Sequence, residues 1–159
     1  MKILGIDPGT GRMGWGIIEK SGNVIRPLKY GCIQTTPNSE HTGRLLHIFD
    51  SLSVIIKKDK PDEVAVEELF FFKNQKTVIS VAEARGVAVV AAKIAGLPVF
   101  EYTPLQVKQA LTGYGRADKK QMQELVRITC KMKECVKPDD AADALAVAIC
   151  HGQTNQTIK

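Results

Sequence analysis

Ile3-Leu4-Gly5-Ile6-Asp7-Pro8-Gly9-Thr10-Gly11-Arg12-Met13-Gly14-Trp15-Gly16-Ile17-Ile18 decides the fold. Two apolar runs flank a turn rich in Gly and Pro, a pattern that predicts a β-hairpin with a long loop. Asp7 falls where the first strand should end, a position from which α/β sheets present their chemistry. A carboxylate there, beside glycines that admit a phosphate closely, is a first functional hint. Asp7 could also be a turn residue capping its own backbone. Gly9 to Gly14 matches G-x-G-x-x-G, but a dinucleotide fingerprint must open into a helix and be followed roughly 20 residues later by an acid. Here a second strand follows and Gln34 lies near the acidic position, so the dinucleotide reading is rejected.

Outward from the hairpin, Asn23 to Thr35 reads as a third strand. Leu45, Ile48, Phe49, Leu52, Ile55 and Ile56 then repeat at helical spacing between Glu40 and Lys58. Lys57, Lys58 and Lys60 suit the negative end of that helix dipole. After Lys60-Pro61-Asp62, the short apolar run Val64-Ala65-Val66 predicts a buried central strand, and charge returns abruptly at Glu67-Glu68. Solvated surface is the plainer reading of those two glutamates. Phe70-Phe71-Phe72, with Lys73, Asn74 and Lys76 behind it, is an aromatic triplet in a loop, and at least one ring is free to stack on or wedge between bases.

Thr77 to Ala95 is helical and apolar nearly all round, which predicts burial on one side by the sheet and on the other by a second subunit, hence a homodimer. Pro98 to Tyr102 is a strand, and Thr103-Pro104 signals the cap and first turn of a helix carrying Val107, Lys108 and Leu111. Thr112 to Ala117 is a basic loop containing Arg116. Asp118 can cap the next helix, where Lys119 and Lys120 occupy a first turn that disfavours cations; a phosphate at that helix end would explain both. Asp139 or Asp140 can cap the last helix. Asp143 lies three residues past Asp140 on the same face. From Gly152 the chain is polar and expected to fray, giving one domain over residues 1–152 and a tail over 153–159.

Composition narrows the function. The 159 residues suffice for one well-cored domain, and a formal net charge of +5 favours an anionic partner such as nucleic acid. No signal peptide or membrane-length apolar run is present, so the expected location is cytoplasmic, without membrane association and with four reduced cysteines. Cys130, Cys135, Cys150 and His151 fit no standard zinc spacing, and plain thiols are expected instead. Asp7, Glu67, Asp140 and Asp143 stand out as acids at element ends. If they converge, their repulsion calls for a divalent cation, and an all-oxygen set favours Mg²⁺ or Mn²⁺. Acidic metal pockets in basic proteins suit phosphodiester hydrolysis.

Gly5-Ile6-Asp7-Pro8-Gly9-Thr10, Ala65-Val66-Glu67, Ala84-Arg85-Gly86 and Asp140-Ala141-Ala142-Asp143-Ala144-Leu145-Ala146 together resemble the RuvC family of bacterial Holliday junction resolvases, over about Lys2 to His151. The resemblance implies an α/β, ribonuclease H-like fold with a mixed five-stranded sheet flanked by helices. It also implies a homodimer and Mg²⁺-dependent nicking of two strands across a four-way DNA junction, with two ions per active site and the branch-migration proteins RuvA and RuvB as partners. By position, Asp7, Glu67, Asp140 and Asp143 match the catalytic metal ligands, Glu67 being preferred to Glu68 on the family motif alone. Phe70 matches the junction wedge, with Phe71 and Phe72 as alternatives. Lys108 and Lys119 match lysines beside the scissile phosphate, and Lys73, Arg116 and Lys120 are further expected DNA contacts.

Three other functions share parts of this pattern. The Asp7-Pro8-Gly9-Thr10 turn is similar to the phosphate loop of actin-like and sugar-kinase-like modules, but those need two lobes to enclose ATP. A non-catalytic DNA-binding protein of the same fold would bind junctions without metal-dependent nicking. A ribonuclease H-like nuclease could instead cut structured RNA.

Overall fold

A computed structural model of the chain describes residues 1–69 and 75–154, with the backbone alone for Gln75 and Lys76. The aromatic triplet from Phe70, together with Lys73, therefore lies outside the described residues. The hairpin forms as the alternation of apolar and small residues requires: β1 (Lys2–Asp7) pairs antiparallel with β2 (Arg12–Ser21), and β2 with β3 (Val24–Gln34). Gly22, at φ +58°, supplies the left-handed turn between β2 and β3. Gly9 and Gly11 sit in the hairpin loop and Gly14 inside β2, so the G-x-G-x-x-G stretch opens into a strand.

Two right-hand neighbours complete the sheet. β4 (Glu63–Glu67) lies parallel to β1, and β5 (Val99–Tyr102) parallel to β4, giving the order β3-β2-β1-β4-β5 in a mixed five-stranded sheet. Such parallel pairs need helical crossovers. These are α1 (His41–Asp59) before β4 and α2 (Gln75–Ile94) before β5. α1 stops where Lys60 turns left-handed, at φ 49°, and its N–H reaches the Ile56 carbonyl.

The strands sort their side chains with period 2. Leu4, Ile6, Val64 and Val66 face one core with Ile48, Leu52 and Ile56 of α1 and Ala84, Ala88, Ala91 and Ala92 of α2. Ile3 and Ala65 face the other, built with α3 (Pro104–Thr112), α4 (Lys119–Thr129) and α5 (Asp139–Thr154). Each fully buried Ile or Leu contributes about 2 kcal/mol to these cores. α2 packs its small residues inward, while Ile79, Val90 and Ile94 are exposed on this single chain, on the side expected to meet a second subunit.

α5 is the helix that positions the chemistry. Its run of Ala141, Ala142, Ala144, Leu145, Ala146, Val147 and Ala148 is buried, and it crosses the sheet at close range. A Cβ on Gly5 would strike the Ala144 backbone oxygen, one on Gly14 the Asp140 backbone oxygen, and one on Gly16 the Leu145 side chain. Those three glycines clear a track for the helix. α5 runs on to Thr154, two residues into the expected tail, because Lys20 Nζ donates to the Gly152 carbonyl and Thr154 Oγ1 to the Cys150 carbonyl.

Candidate active site

Asp7 is the last residue of β1 and Glu67 the last of β4, on parallel neighbours whose register pairs Gly5 with Ala65 and Ile6 with Val66. One step further along, Asp7 and Glu67 stand side by side. By alternation each shares the face of Gly5 and Ala65, which is the α5 face. Local periodicity left Glu67 and Glu68 equivalent. The register separates them, since Glu68 falls beyond the strand and its N–H donates to the Tyr102 carbonyl at 2.8 Å.

α5 brings the second pair. It begins at Asp139, so Asp139 and Asp140 are first-turn residues rather than caps, and Asp143 follows one turn on. Gly14 is the cross-strand partner of Asp7, and the Asp140 backbone lies against Gly14. Electrostatic coupling records the convergence. Burial, then the charges of Glu67, Asp143 and Asp140, push the Asp7 carboxyl up to about 8, with Lys119 opposing. Burial and Asp143 push Glu67 up to about 7, against a hydrogen bond from Asp7 and the charge of Lys108. Burial also raises Asp143, with Lys119 pulling the other way. Two acids this close resist being ionised together unless a cation neutralises them.

Cations of the chain itself engage the α5 acids. Arg12 Nε lies 2.8 Å from Asp140 Oδ2, and Lys119 Nζ lies 3.3 Å from Asp143 Oδ2 and 3.6 Å from Asp139 Oδ2. As placed, no three His, Cys, Asp or Glu side chains among the described residues close around one point tightly enough to enclose an ion. The donor set is nonetheless chemically suited to a hard divalent cation: all oxygen, partly buried, and carrying more negative charge than Lys119 and Arg12 offset.

Basic residues surround this centre. Glu67, Lys108, Lys119, Met122 and Asp143 line a pocket of about 230 Å³. Arg12, Lys119, Lys137, Asp139 and Asp140 line a wider cleft of about 830 Å³. Lys119 therefore borders both. It reaches them because Asp118 caps α4 through a reciprocal pair with Gln121, which fixes the first turn against α5. A phosphate at the α4 N-terminus is not needed to explain Lys119, which faces carboxylates. Lys108 is held by α3, whose Thr103 and Gln106 form a second capping box behind Pro104. Arg116 is exposed in the turn before α4 and Lys120 exposed in its first turn.

Sequence reasoning passed over Arg12 and Cys32. Arg12 falls inside the rejected glycine motif and Cys32 inside the third strand, and neither pattern singles its residue out. Cys32 lies opposite Gly14 on β3, and its Sγ is 4.0 Å from Asp140 Oδ2. Period-2 alternation on β2 and β3, set against the predicted α5 face, is the signal that finds both. His151 is likewise no zinc ligand: its Nδ1 meets Tyr102 Oη and its Nε2 meets Glu63 Oε2, each at 2.6 Å. No helix among the described residues is long and apolar enough to cross a membrane.

Known proteins resemble the chain over nearly its whole length. A family model described as "Crossover junction endodeoxyribonuclease RuvC" matches residues 3–151. A protein of that description from Desulfitobacterium hafniense is 55% identical over 154 residues, covering 97% of this chain and 93% of its own. One from Chloroflexus aggregans is 52% identical over 159 residues, covering 100% and 97%. Among solved structures, Thermus thermophilus RuvC in complex with a Holliday junction substrate superposes with a TM-score of 0.93 at 36% identity, over 99% of this chain and 96% of that one. The yeast mitochondrial Holliday junction resolvase Ydc2 shares the fold, with a TM-score of 0.71 at 12% identity over 95% and 78%.

Proposed function

The chain belongs to the RuvC family of crossover junction endodeoxyribonucleases, and from that premise we propose that Asp7, Glu67, Asp140 and Asp143 are its catalytic metal ligands. It is a nuclease that hydrolyses phosphodiester bonds of four-way DNA junctions in recombination and repair, and its chemistry depends on divalent metal. The finer reading is that Mg²⁺, or Mn²⁺, binds as two ions per site. When bound, they supply Lewis acidity and an activated water for in-line attack on the scissile phosphate.

The chain's residues do the rest. Asp7 and Glu67 form a rigid floor because each ends a paired strand, and Asp140 and Asp143 close over it from one helix face. Lys108 and Lys119 border the pocket and hold the phosphate under attack, where Lys119 also offsets negative charge. Lys73, Arg116 and Lys120 are further backbone contacts, read from position and charge. Phe70 is the junction wedge in this reading, with Phe71 and Phe72 as alternatives. A homodimer through α2 places two such sites on opposed strands. It is supported by the exposed Ile79, Val90 and Ile94, which a second copy would cover. RuvA and RuvB are the expected branch-migration partners, in the cytoplasm. Residues 1–152 make the nuclease domain and 153–159 the tail.

The observation that carries this reading is the convergence of Asp7 and Glu67, at adjacent strand ends, with Asp140 and Asp143 of α5, which with burial pushes Asp7 up to about 8 and Glu67 up to about 7. A protein gains nothing in stability from such a pair, and a cation resolves it. The test is incubation with a synthetic four-way junction, a linear duplex and an RNA hairpin, with and without Mg²⁺. Paired symmetric nicks confined to the junction, and only with metal, are expected. Equal cutting of the duplex or the hairpin overturns the substrate, and cutting in chelator overturns the metal reading.

A further inference from the structure

Arg12 is the first residue of β2, directly after the Gly9-Thr10-Gly11 loop. Its guanidinium is half exposed at the mouth of the cleft that Lys119, Lys137 and Asp139 also line, and its Nε approaches Asp140 Oδ2 at 2.8 Å. The Cys32 thiol sits 4.0 Å from the same oxygen. Asp140 is thus turned toward the cleft mouth by a charge on the opposite wall.

We infer that Arg12 competes with the divalent ion for Asp140, so the carboxylate binds the ion more tightly once the guanidinium lets go of Oδ2. The inference rests on the metal-ligand reading above. Geometry gives the reason. Arg12 holds Asp140 Oδ2 and draws its negative charge toward the cleft mouth, so an ion that takes that oxygen works against the guanidinium, and Arg12 stays charged at every working pH. Because the pair is partly solvated, the competition is modest, on the order of a two- to fivefold change in metal affinity. The exchange leaves the guanidinium at the cleft mouth, free to swing away on its own long stem, so the fold need not move.

Mn²⁺ binding to the full chain, followed by the loss of free-ion electron paramagnetic resonance signal, tests this without any turnover. Arg12→Gln should bind Mn²⁺ about two- to fivefold more tightly than the wild type. Lys137→Gln, in the same cleft, measures how much of that gain is the general field, and its effect should be smaller. In an Asp140→Asn background, the gain from Arg12→Gln should shrink to the general-field effect that Lys137→Gln measures, because the carboxylate they compete for is gone. Unchanged or weaker binding in Arg12→Gln, a gain no larger than that of Lys137→Gln, or the same gain without Asp140 overturns the inference. Mn²⁺ binding indifferent to Asp7→Asn overturns the metal-ligand reading itself, a distinct failure. Coincident thermal unfolding of the variants and the wild type confirms that folded protein is compared.

Discussion

Gly14 and the Asp140 backbone oxygen stand so close that a Cβ on Gly14 would overlap it. Because Gly14 is also the cross-strand partner of Asp7, this one absent side chain sets the gap between the sheet carboxylate and the helix carboxylates. Gly14→Ala should therefore cost about 1–3 kcal/mol, the range for overpacking a tight interface. It should weaken Mn²⁺ binding as well, since α5 must back away. Denaturant unfolding and metal titration measure the two effects; a stable variant with normal metal affinity contradicts the packing argument.

Asp7→Asn keeps the shape of the strand end and removes one negative charge. Junction binding should persist, while Mg²⁺-dependent cutting falls by about three orders of magnitude or more. Gel-shift binding and single-turnover cleavage on the same junction separate the two. Normal cutting would remove Asp7 from the chemistry.

The raised carboxyls dictate how stability varies with pH. Unfolded Asp and Glu release their protons near their ordinary values of 3.8 and 4.5, whereas folded Asp7 and Glu67 hold theirs to about 8 and about 7. Between those limits the folded state binds more protons than the unfolded one, so stability in chelator should fall as pH rises from about 4 to about 8. Below that window the penalty vanishes. Asp7→Asn should stabilise the chelated protein at pH 8 by about 1–3 kcal/mol and do nothing near pH 4. Urea midpoints across the pH series provide the check, and a flat profile contradicts the clustering.

Much of this arrangement was legible in the linear chain, and the exceptions have physical causes. The strands ending at Asp7 and Glu67 follow from alternation and from the abrupt return of charge. Their adjacency does not, because the parallel register of β1 and β4 is fixed by contacts some 60 residues apart rather than by local pattern. Asp140 and Asp143 share a face by helical spacing alone. The purpose of Gly5, Gly14 and Gly16 was hidden, since a glycine chosen for what must pass above it looks like any other glycine. α2 is ambiguous for a related reason: alanines that pack inward and isoleucines that face out give the same apolar window.

Lys119 joins α4 to α5 through Asp139 and Asp143 but remains largely exposed, so its worth to the fold is small. Lys119→Ala should leave unfolding free energy within about 0.5 kcal/mol of the wild type. Junction cleavage should drop, with Lys119→Arg restoring part of it. Loss of folding would instead mark this lysine as structural.

Tyr102→Phe removes one hydrogen bond from the buried His151 ring while keeping the aromatic packing beside Phe100. About 1–3 kcal/mol of stability should be lost, the price of depriving a buried polar atom of its partner. Thermal unfolding reads this directly; an unchanged midpoint would mean that the contacts remaining after the hydroxyl is lost suffice to hold the imidazole.

α5 is 16 residues long, about 24 Å from end to end, with Asp140 and Asp143 near its start and His151 near its finish. The sheet grips the far end through Glu63 and Tyr102 and seats the near end on Gly14, so the helix is a strut held at both ends. A shift imposed at one end is passed along it to the other. Lesions on the side of the molecule remote from the acids can then silence the enzyme without touching a single carboxylate.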